Sequence, residues 1–310
     1  MNSGKASVES KNVNVKNREK SRYFIHAKYK SKLQRMVVLI HLFLLALLVL
    51  FINSCNSGSK IAKAKENNND NTKEDITHVF CENEPSDIPL PKKKNIYLTF
   101  DDGPNKGTMN VFELLEKRTI PATFFVIGSH IFGTKKQTND FSTLRNSRFC
   151  ELANHTYFHA HNRYIDFYKN TDKVLKDFQL MDDSLGILQN IIRTPANNSW
   201  RTCNINYDTN KKIRKAVDTL FAHEFKVVGW DIEWKLGKDK LLTKSAVELA
   251  SEIDQYINEN KTLTENEVVI LLHDQHFVKT ENTRQLDTLL GILVSNENYD
   301  FKKISQYPNL

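Results

Sequence analysis

From residue 96 onward, short apolar runs of strand length alternate with longer stretches whose apolar residues recur at helical spacing. Residues 96–100 predict a strand, and Thr108 is placed to cap a helix carrying Phe112 and Leu115 that ends before Pro121. Residues 122–127 predict a second strand, closed by Gly128. Across 172–188, Val174, Leu175, Phe178, Met181, Leu185 and Leu188 fall at helical spacing. A short strand at Ile191-Ile192, a helix over 211–221 and a strand over 225–229 follow. A helix over 243–257 carries Val247, Leu249, Ala250 and Ile253 inward, residues 268–272 form a continuous apolar strand, and 283–294 predict a last helix. Repeated strand-then-helix units predict an α/β fold with a parallel sheet, as a barrel or as an open doubly wound sheet. Neither a Gly-x-Gly-x-x-Gly nor a Walker-type loop follows an early strand, so a nucleotide-binding fold lacks its signature. Asp101, Asp102, Arg193, Asp231 and His273 are expected just after strands. In a parallel barrel that is the rim where active sites collect.

The N-terminal third has a different pattern. Residues 1–35 carry ten Lys/Arg against Glu9 and Glu19, so the remainder of the chain holds 34 basic residues against 35 acidic ones. The overall charge of +7 therefore belongs to the leader, and a nucleic-acid partner inferred from total charge is excluded on that division. An apolar run over 36–52, broken only by His41, leads into Asn53-Ser54-Cys55. Positive, then apolar, then small is the order of an export signal. Ile52-Asn53-Ser54-Cys55 resembles a bacterial lipobox, which predicts lipidation at Cys55. An uncleaved anchor is the alternative, although 17 residues fall short of the ~20 that span a bilayer comfortably. Both readings put the leader in the cytoplasm and the body outside it, held at the membrane. Met36 offers a second possible start, which would lose the positive flank. The Asn-rich stretch 56–94 has little to bury and reads as a flexible tether to a catalytic domain over 95–310. With Cys55 set aside, Cys81, Cys150 and Cys203 permit at most one disulfide. No pattern in the chain sets an oligomeric state.

The chemistry concentrates in two motifs. Thr99-Phe100-Asp101-Asp102-Gly103-Pro104 delivers two adjacent carboxylates to a turn, and His155-Thr156-Tyr157-Phe158-His159 sets two imidazoles at i and i+4, on one face if that segment is a helical turn. Two histidines and one carboxylate make a common ligand set for a catalytic divalent metal with open positions. Asp102, His155 and His159 are the proposed ligands, Zn²⁺ the favoured ion, with Co²⁺, Ni²⁺ or Mn²⁺ as alternatives. His161 lies off their face and is expected to stand aside.

These motifs resemble those of the polysaccharide deacetylases of carbohydrate esterase family 4, which carry the NodB homology domain. The resemblance runs from about residue 95 to 307 and includes three further short motifs. It implies a distorted (β/α) barrel with fewer than eight regular units. It also implies metal-dependent removal of acetyl groups from an acetylated polysaccharide. Asp101 would be the general base, held ionised by Arg193 of Arg193-Thr194-Pro195-Ala196. The backbone N–H of Ala196 would stabilise the developing oxyanion, Asn105 would help orient the ligands, and Trp200 could supply a groove wall where relatives carry an aromatic. In Trp230-Asp231-Ile232-Glu233-Trp234, Asp231 would bond to His273, and Trp230 or Trp234 would stack on a sugar face; Glu233 leaves the register of this motif open. His273 would be the general acid, Leu271 would wall a pocket for the acetyl methyl, and His276 would be a solvated loop residue. Peptidoglycan N-acetylglucosamine leads as substrate, with chitin-like polymers next. O-acetylated xylan, a hydrolase of small amides and a non-catalytic carbohydrate binder are the rival readings.

Overall fold

Among the described residues ten strands pair into one curled sheet in the order β6-β5-β7-β4-β3-β2-β1-β9-β8, with β10 against the start of β1. The strands are β1 (Lys94–Gly103), β2 (Ala122–Val126), β3 (Cys150–Asn154), β4 (Ile191–Ile192), β5 (Ser199–Arg201), β6 (Asn206–Asp208), β7 (Lys226–Val227), β8 (Ile232–Glu233), β9 (Glu267–His273) and β10 (Tyr299–Phe301). The computed structural model describes residues 93–185 and 190–310, with backbone alone at Leu185. The leader, the apolar run, Cys55, Cys81 and all but the end of the expected tether lie outside the described residues. Leu90–Leu310 forms one compact unit. Pairing is parallel except around β5, which runs antiparallel to β6 and β7. Among the described residues β6 and β8 have no mutual pairing, so the sheet is a half-barrel, between the two predicted architectures.

Strand alternation sorts the residues. In β1, Ile96, Leu98 and Phe100 join Val268, Ile270 and Leu272 of β9 in the core beneath the helices, while Tyr97 and Val269 belong to a second core on the opposite face. That opposite face carries Asp101 and His273, directly opposed in register across β1 and β9. The helices are α1 (Thr108–Lys117), α2 (Gly128–Ile131), α3 (Lys135–Asn146), α4 (Tyr164–Tyr168), α5 (Thr171–Leu185), α6 (Arg214–Ala222), α7 (Ala246–Asn258) and α8 (Thr280–Val294). Among the described residues no helix is long and apolar enough to cross a membrane. The C-terminal segment closes the end of the sheet away from the site: Ile304 N–H donates to Thr123 Oγ1, Ser305 N–H to Glu151 Oε2, and Tyr307 packs on Tyr97 and Trp200.

Several expectations change. Thr108 does not cap α1; its hydroxyl donates to the buried Asp274 carboxylate and accepts from Asn105 N–H, while Gly107 takes the cap position. The predicted 211–221 helix splits into a turn at Lys211–Ile213 followed by α6. Helix α7 begins three residues later than predicted, at a capping box of Ser245 with Glu248. Strand β3, helix α3, the β5–β6 hairpin and β10 had no counterpart in the pattern. Cys150 is buried, Cys203 is exposed, and neither forms a disulfide among the described residues.

Candidate functional site

The two acids of the first motif separate because β1 carries a bulge. Asp101 pairs with Phe125 and Gly103 with Val126, which leaves Asp102 as the extra residue, at φ 72°. Asp101 thus stays on the face of the second core, while Asp102 swings toward the loop after β3. The Gly103–Pro104 peptide that follows is cis.

His155 follows β3 directly and is buried. Its Nδ1 lies 2.9 Å from the Arg193 carbonyl oxygen. A carbonyl only accepts, so Nδ1 carries a proton, and in the neutral imidazole Nε2 presents a lone pair to the site. The i, i+4 spacing does not arise from an α-helical turn. Thr156 lies at φ 69°, and His159, Ala160, His161 and Asn162 all have φ between 48° and 59°. The loop doubles back through left-handed backbone, anchored by Asn154 Oδ1 accepting from Thr156 N–H and by Asp177 accepting from Phe158 N–H. This brings the His159 ring to 5.1 Å from that of His155. His161 stacks on Phe158 and stands aside, as expected.

Donor atoms of Asp102, His155 and His159 lie within 4.8 Å of one another. His155 Nε2 is 3.4 Å and His159 Nε2 3.2 Å from Asp102 Oδ1. Two ligands about 2.1 Å from one tetrahedral ion sit about 3.4 Å apart, so the spacing and the donor chemistry fit a bound divalent metal. Without one the three side chains perturb each other. Burial opposes ionisation of Asp102, yet the His155 hydrogen bond and the imidazole charges hold its carboxyl well below the usual range. His159 is pushed down to about 4 by burial and by His155.

Asp101 sits beside this cluster, 2% exposed, with Oδ2 3.8 Å from His155 Nε2. Its Oδ1 accepts from Arg193 Nη1 at 2.9 Å. The Arg193 guanidinium is fully buried and all three of its nitrogens donate, in four hydrogen bonds. Nη1 also donates to Thr99 Oγ1, Nε to Val228 O and Nη2 to Gly229 O, while Cζ stands 4.1 Å from the Phe125 ring centre. Ala196 is exposed at φ 58° on the loop after Arg193. Trp230 is half-buried, its ring 5.8 Å from the Arg193 guanidinium, and its backbone is held at both ends by Asn198. Leu271 is buried, opposite Glu233 in register.

The structure does not bring together every residue the sequence suggested. Asp231 does not reach His273. It precedes β8 rather than ending a strand, and its two oxygens accept from Leu263 N–H and Val269 N–H. Burial pushes it up to about 6. His273 keeps a buried Nδ1 without a hydrogen-bond partner among the described residues and packs against His276 at 4.8 Å between ring centres, so His276 is not a solvated loop residue. Trp234 is fully buried, donates to Lys244 O and packs on Phe277, and Trp200 is fully buried against Tyr307. Neither can stack on a sugar, since neither side chain is exposed. Asn105 does not touch the ligands; its amide donates to Asp274.

Sequence reasoning gave no role to Asp274, Gln275 or His130. Asp274 is buried and pushed up to about 7 by that burial. It immediately follows His273, and that adjacency was the only signal available. Gln275 Nε2 donates to Asp102 Oδ2, and His130 Nδ1 lies 2.8 Å from the Asp102 carbonyl oxygen.

Comparison with known proteins agrees with this geometry. Residues 90–217 match the family model described as polysaccharide deacetylase, a span that includes Asp101, Asp102, His155, His159 and Arg193. A peptidoglycan-N-acetylglucosamine deacetylase of Bacillus cereus is 28% identical over 246 residues, 78% of this chain and 82% of that one. Among solved structures, a CE4 esterase of Streptococcus mutans superposes with a TM-score of 0.51 at 19% identity, over 68% of this chain and 86% of that one. The catalytic domain of peptidoglycan N-acetylglucosamine deacetylase from Eubacterium rectale gives 0.50 at 23% identity, over 70% and 91%. The half-barrel is the fold of those two structures, and the family model and the curated relative support a polysaccharide deacetylase domain.

Proposed function

We propose that this protein is a metal-dependent hydrolase that removes acetyl groups from N-acetylglucosamine units of a cell-envelope polysaccharide, peptidoglycan first among them. The observation that carries the reading is the convergence of three donor atoms of Asp102, His155 and His159 beside a buried carboxylate, Asp101, pinned by Arg193. Asp102, His155 and His159 would hold one divalent ion, Zn²⁺ on the chemistry of the donors. When bound there, such an ion supplies Lewis acidity toward an acetyl carbonyl and toward water.

The remaining steps belong to the chain. With Oδ1 fixed by Arg193, Asp101 has Oδ2 left to take a proton from the attacking water. The Ala196 N–H is the backbone donor assigned to the developing oxyanion. His273, across the sheet from Asp101, gives a proton to the departing nitrogen. Water adds to the carbonyl carbon, the C–N bond breaks, and acetate and a free amino sugar leave. Trp230 is the one tryptophan of its motif that is not fully buried, and it is assigned to the sugar.

The test is acetate release from peptidoglycan, chitin oligomers and acetylated xylan, with Asp101→Asn as control. Release from the N-acetylated polymers, abolished in Asp101→Asn, supports the proposal. Release from xylan alone makes the protein an O-acetyl esterase. Affinity for oligosaccharide with bound metal and no acetate makes it a binder.

We further propose that the catalytic unit works outside the cytoplasm, tethered through Cys55, on the strength of the basic leader and the apolar run that follows it. Incorporation of labelled fatty acid, lost in Cys55→Ser, tests this. Label retained in that variant contradicts it.

A further inference from the structure

We propose that Gln275 and His130 are positioning residues that fix Asp102 as a single-oxygen ligand, so that the affinity of this chain for its divalent ion depends on both. This rests on reading Asp102, His155 and His159 as the metal centre.

Asp102 occupies left-handed backbone at a bulge, a conformation a non-glycine residue keeps only when its surroundings impose it. Two side chains grip it from different elements. His130, in α2, reaches the Asp102 carbonyl oxygen at 2.8 Å; because that oxygen only accepts, His130 Nδ1 is the protonated nitrogen and donates. Gln275, in the turn after β9, donates from Nε2 to Asp102 Oδ2 at 3.2 Å. The other oxygen, Oδ1, faces His155 Nε2 and His159 Nε2. The carboxylate is thus divided, one oxygen toward a neutral amide and one toward the centre. An amide suits that place, since it satisfies the outer oxygen without competing for a cation.

Both grips are built into the fold. The Gln275 side chain is exposed at the site's edge, but its backbone is wedged against the turn that follows Asp102 and leads into α1. A Cβ on Gly107 would collide with the Asp274 carbonyl and come within 3.4 Å of Gln275 Cα. The Asp274 carboxylate ties the same turn down by accepting from Thr108 and Asn105. On the other side, α2 is joined to the histidine loop, with Gly128 N–H donating to Thr156 O at 3.1 Å and Ser129 N–H to Tyr157 O at 2.8 Å. His130 therefore links the carboxylate arm of the site to its imidazole arm.

Groups that orient a metal ligand in this way cost about 10- to 100-fold in metal affinity when removed. The experiment is Zn²⁺ titration of the metal-free full chain against a chromophoric chelator, with thermal melts of each metal-free protein alongside. Gln275→Ala and His130→Phe should each weaken binding by about 10- to 100-fold with metal-free melting unchanged, and His130→Asn, which restores an N–H donor near the same position, should recover most of the loss. Wild-type affinity in either Gln275→Ala or His130→Phe overturns the proposal while leaving the metal centre standing. A wild-type protein that binds no Zn²⁺, or an Asp102→Ala variant that binds as well as wild type, overturns the metal-centre reading itself.

Discussion

Replacing Arg193 by lysine keeps the positive charge and removes the fork, which isolates what the fork contributes. The guanidinium makes four hydrogen bonds, to Thr99 Oγ1, Asp101 Oδ1, Val228 O and Gly229 O, from a fully buried position over Phe125. An ammonium group can reach at most two of those acceptors at once, so at least two charge-assisted bonds are lost. At about 1.5 kcal/mol each, the low end for bonds to a charged group, the loss is about 3 kcal/mol. In a domain of this size 1 kcal/mol moves the melting temperature by about 2–4 °C, so the variant should melt about 6–12 °C lower. Activity should fall further than stability, because Asp101 loses the bond that aims its second oxygen; misplacement by about 1 Å can cost about 100-fold in rate. Calorimetry of the metal-loaded protein and acetate release at a temperature where the variant is fully folded read the two effects separately. A variant that melts within 2 °C of wild type and keeps its kcat would refute the idea that this guanidinium organises the site.

Other consequences follow from single residues. Burial raises the Asp231 carboxyl to about 6, so its stabilising contribution is present below the unfolded value and is lost as pH rises through about 6. Asp231→Asn turns one of the two accepting oxygens into an NH2 that faces a backbone donor, a penalty independent of pH, but its stability relative to wild type should improve by up to about 3 kcal/mol between pH 4 and pH 7, read from denaturant melts. A constant difference between the two across that range would count against it. Thr119 ends α1 in left-handed backbone at φ 56°, exposed, with its N–H on Glu116 O and Ile120 N–H on Leu115 O. A β-branched residue is costly in that position and glycine is not, so Thr119→Gly should raise stability by about 1 kcal/mol. An unchanged or lowered melting temperature would contradict that.

Much of this fold could be read from the chain because its central strands are buried on both faces. Residues 268–272 are continuously apolar for that reason, and 96–100 nearly so, which made the strands legible together with the acids and the histidine at their ends. Strand β3 escaped notice because Glu151 sits inside it. The structure satisfies that buried carboxylate with Thr123 Oγ1 and Ser305 N–H, partners far away in sequence. Helix α3 turns only Asp140, Phe141 and Leu144 inward, too few to set a period. The two histidines do converge, but not for the reason their spacing offers. Spacing suggested a helical turn, whereas the rings converge through left-handed backbone that contains no glycine to announce it. Asp231 and Trp234 were misassigned because a motif fixes order along the chain and not the side of the sheet. The partners of His130, Asp274 and Gln275 depend on two loops meeting in space, which no local pattern encodes.

The central claim is that Asp102, His155 and His159 enclose one divalent ion, and a zinc-soaked crystal measured at the zinc absorption edge addresses it without reference to any substrate. The account predicts one strong anomalous peak within about 2.0–2.2 Å of Asp102 Oδ1, His155 Nε2 and His159 Nε2. A map with no peak among those three atoms, or with zinc bound only elsewhere, would contradict it.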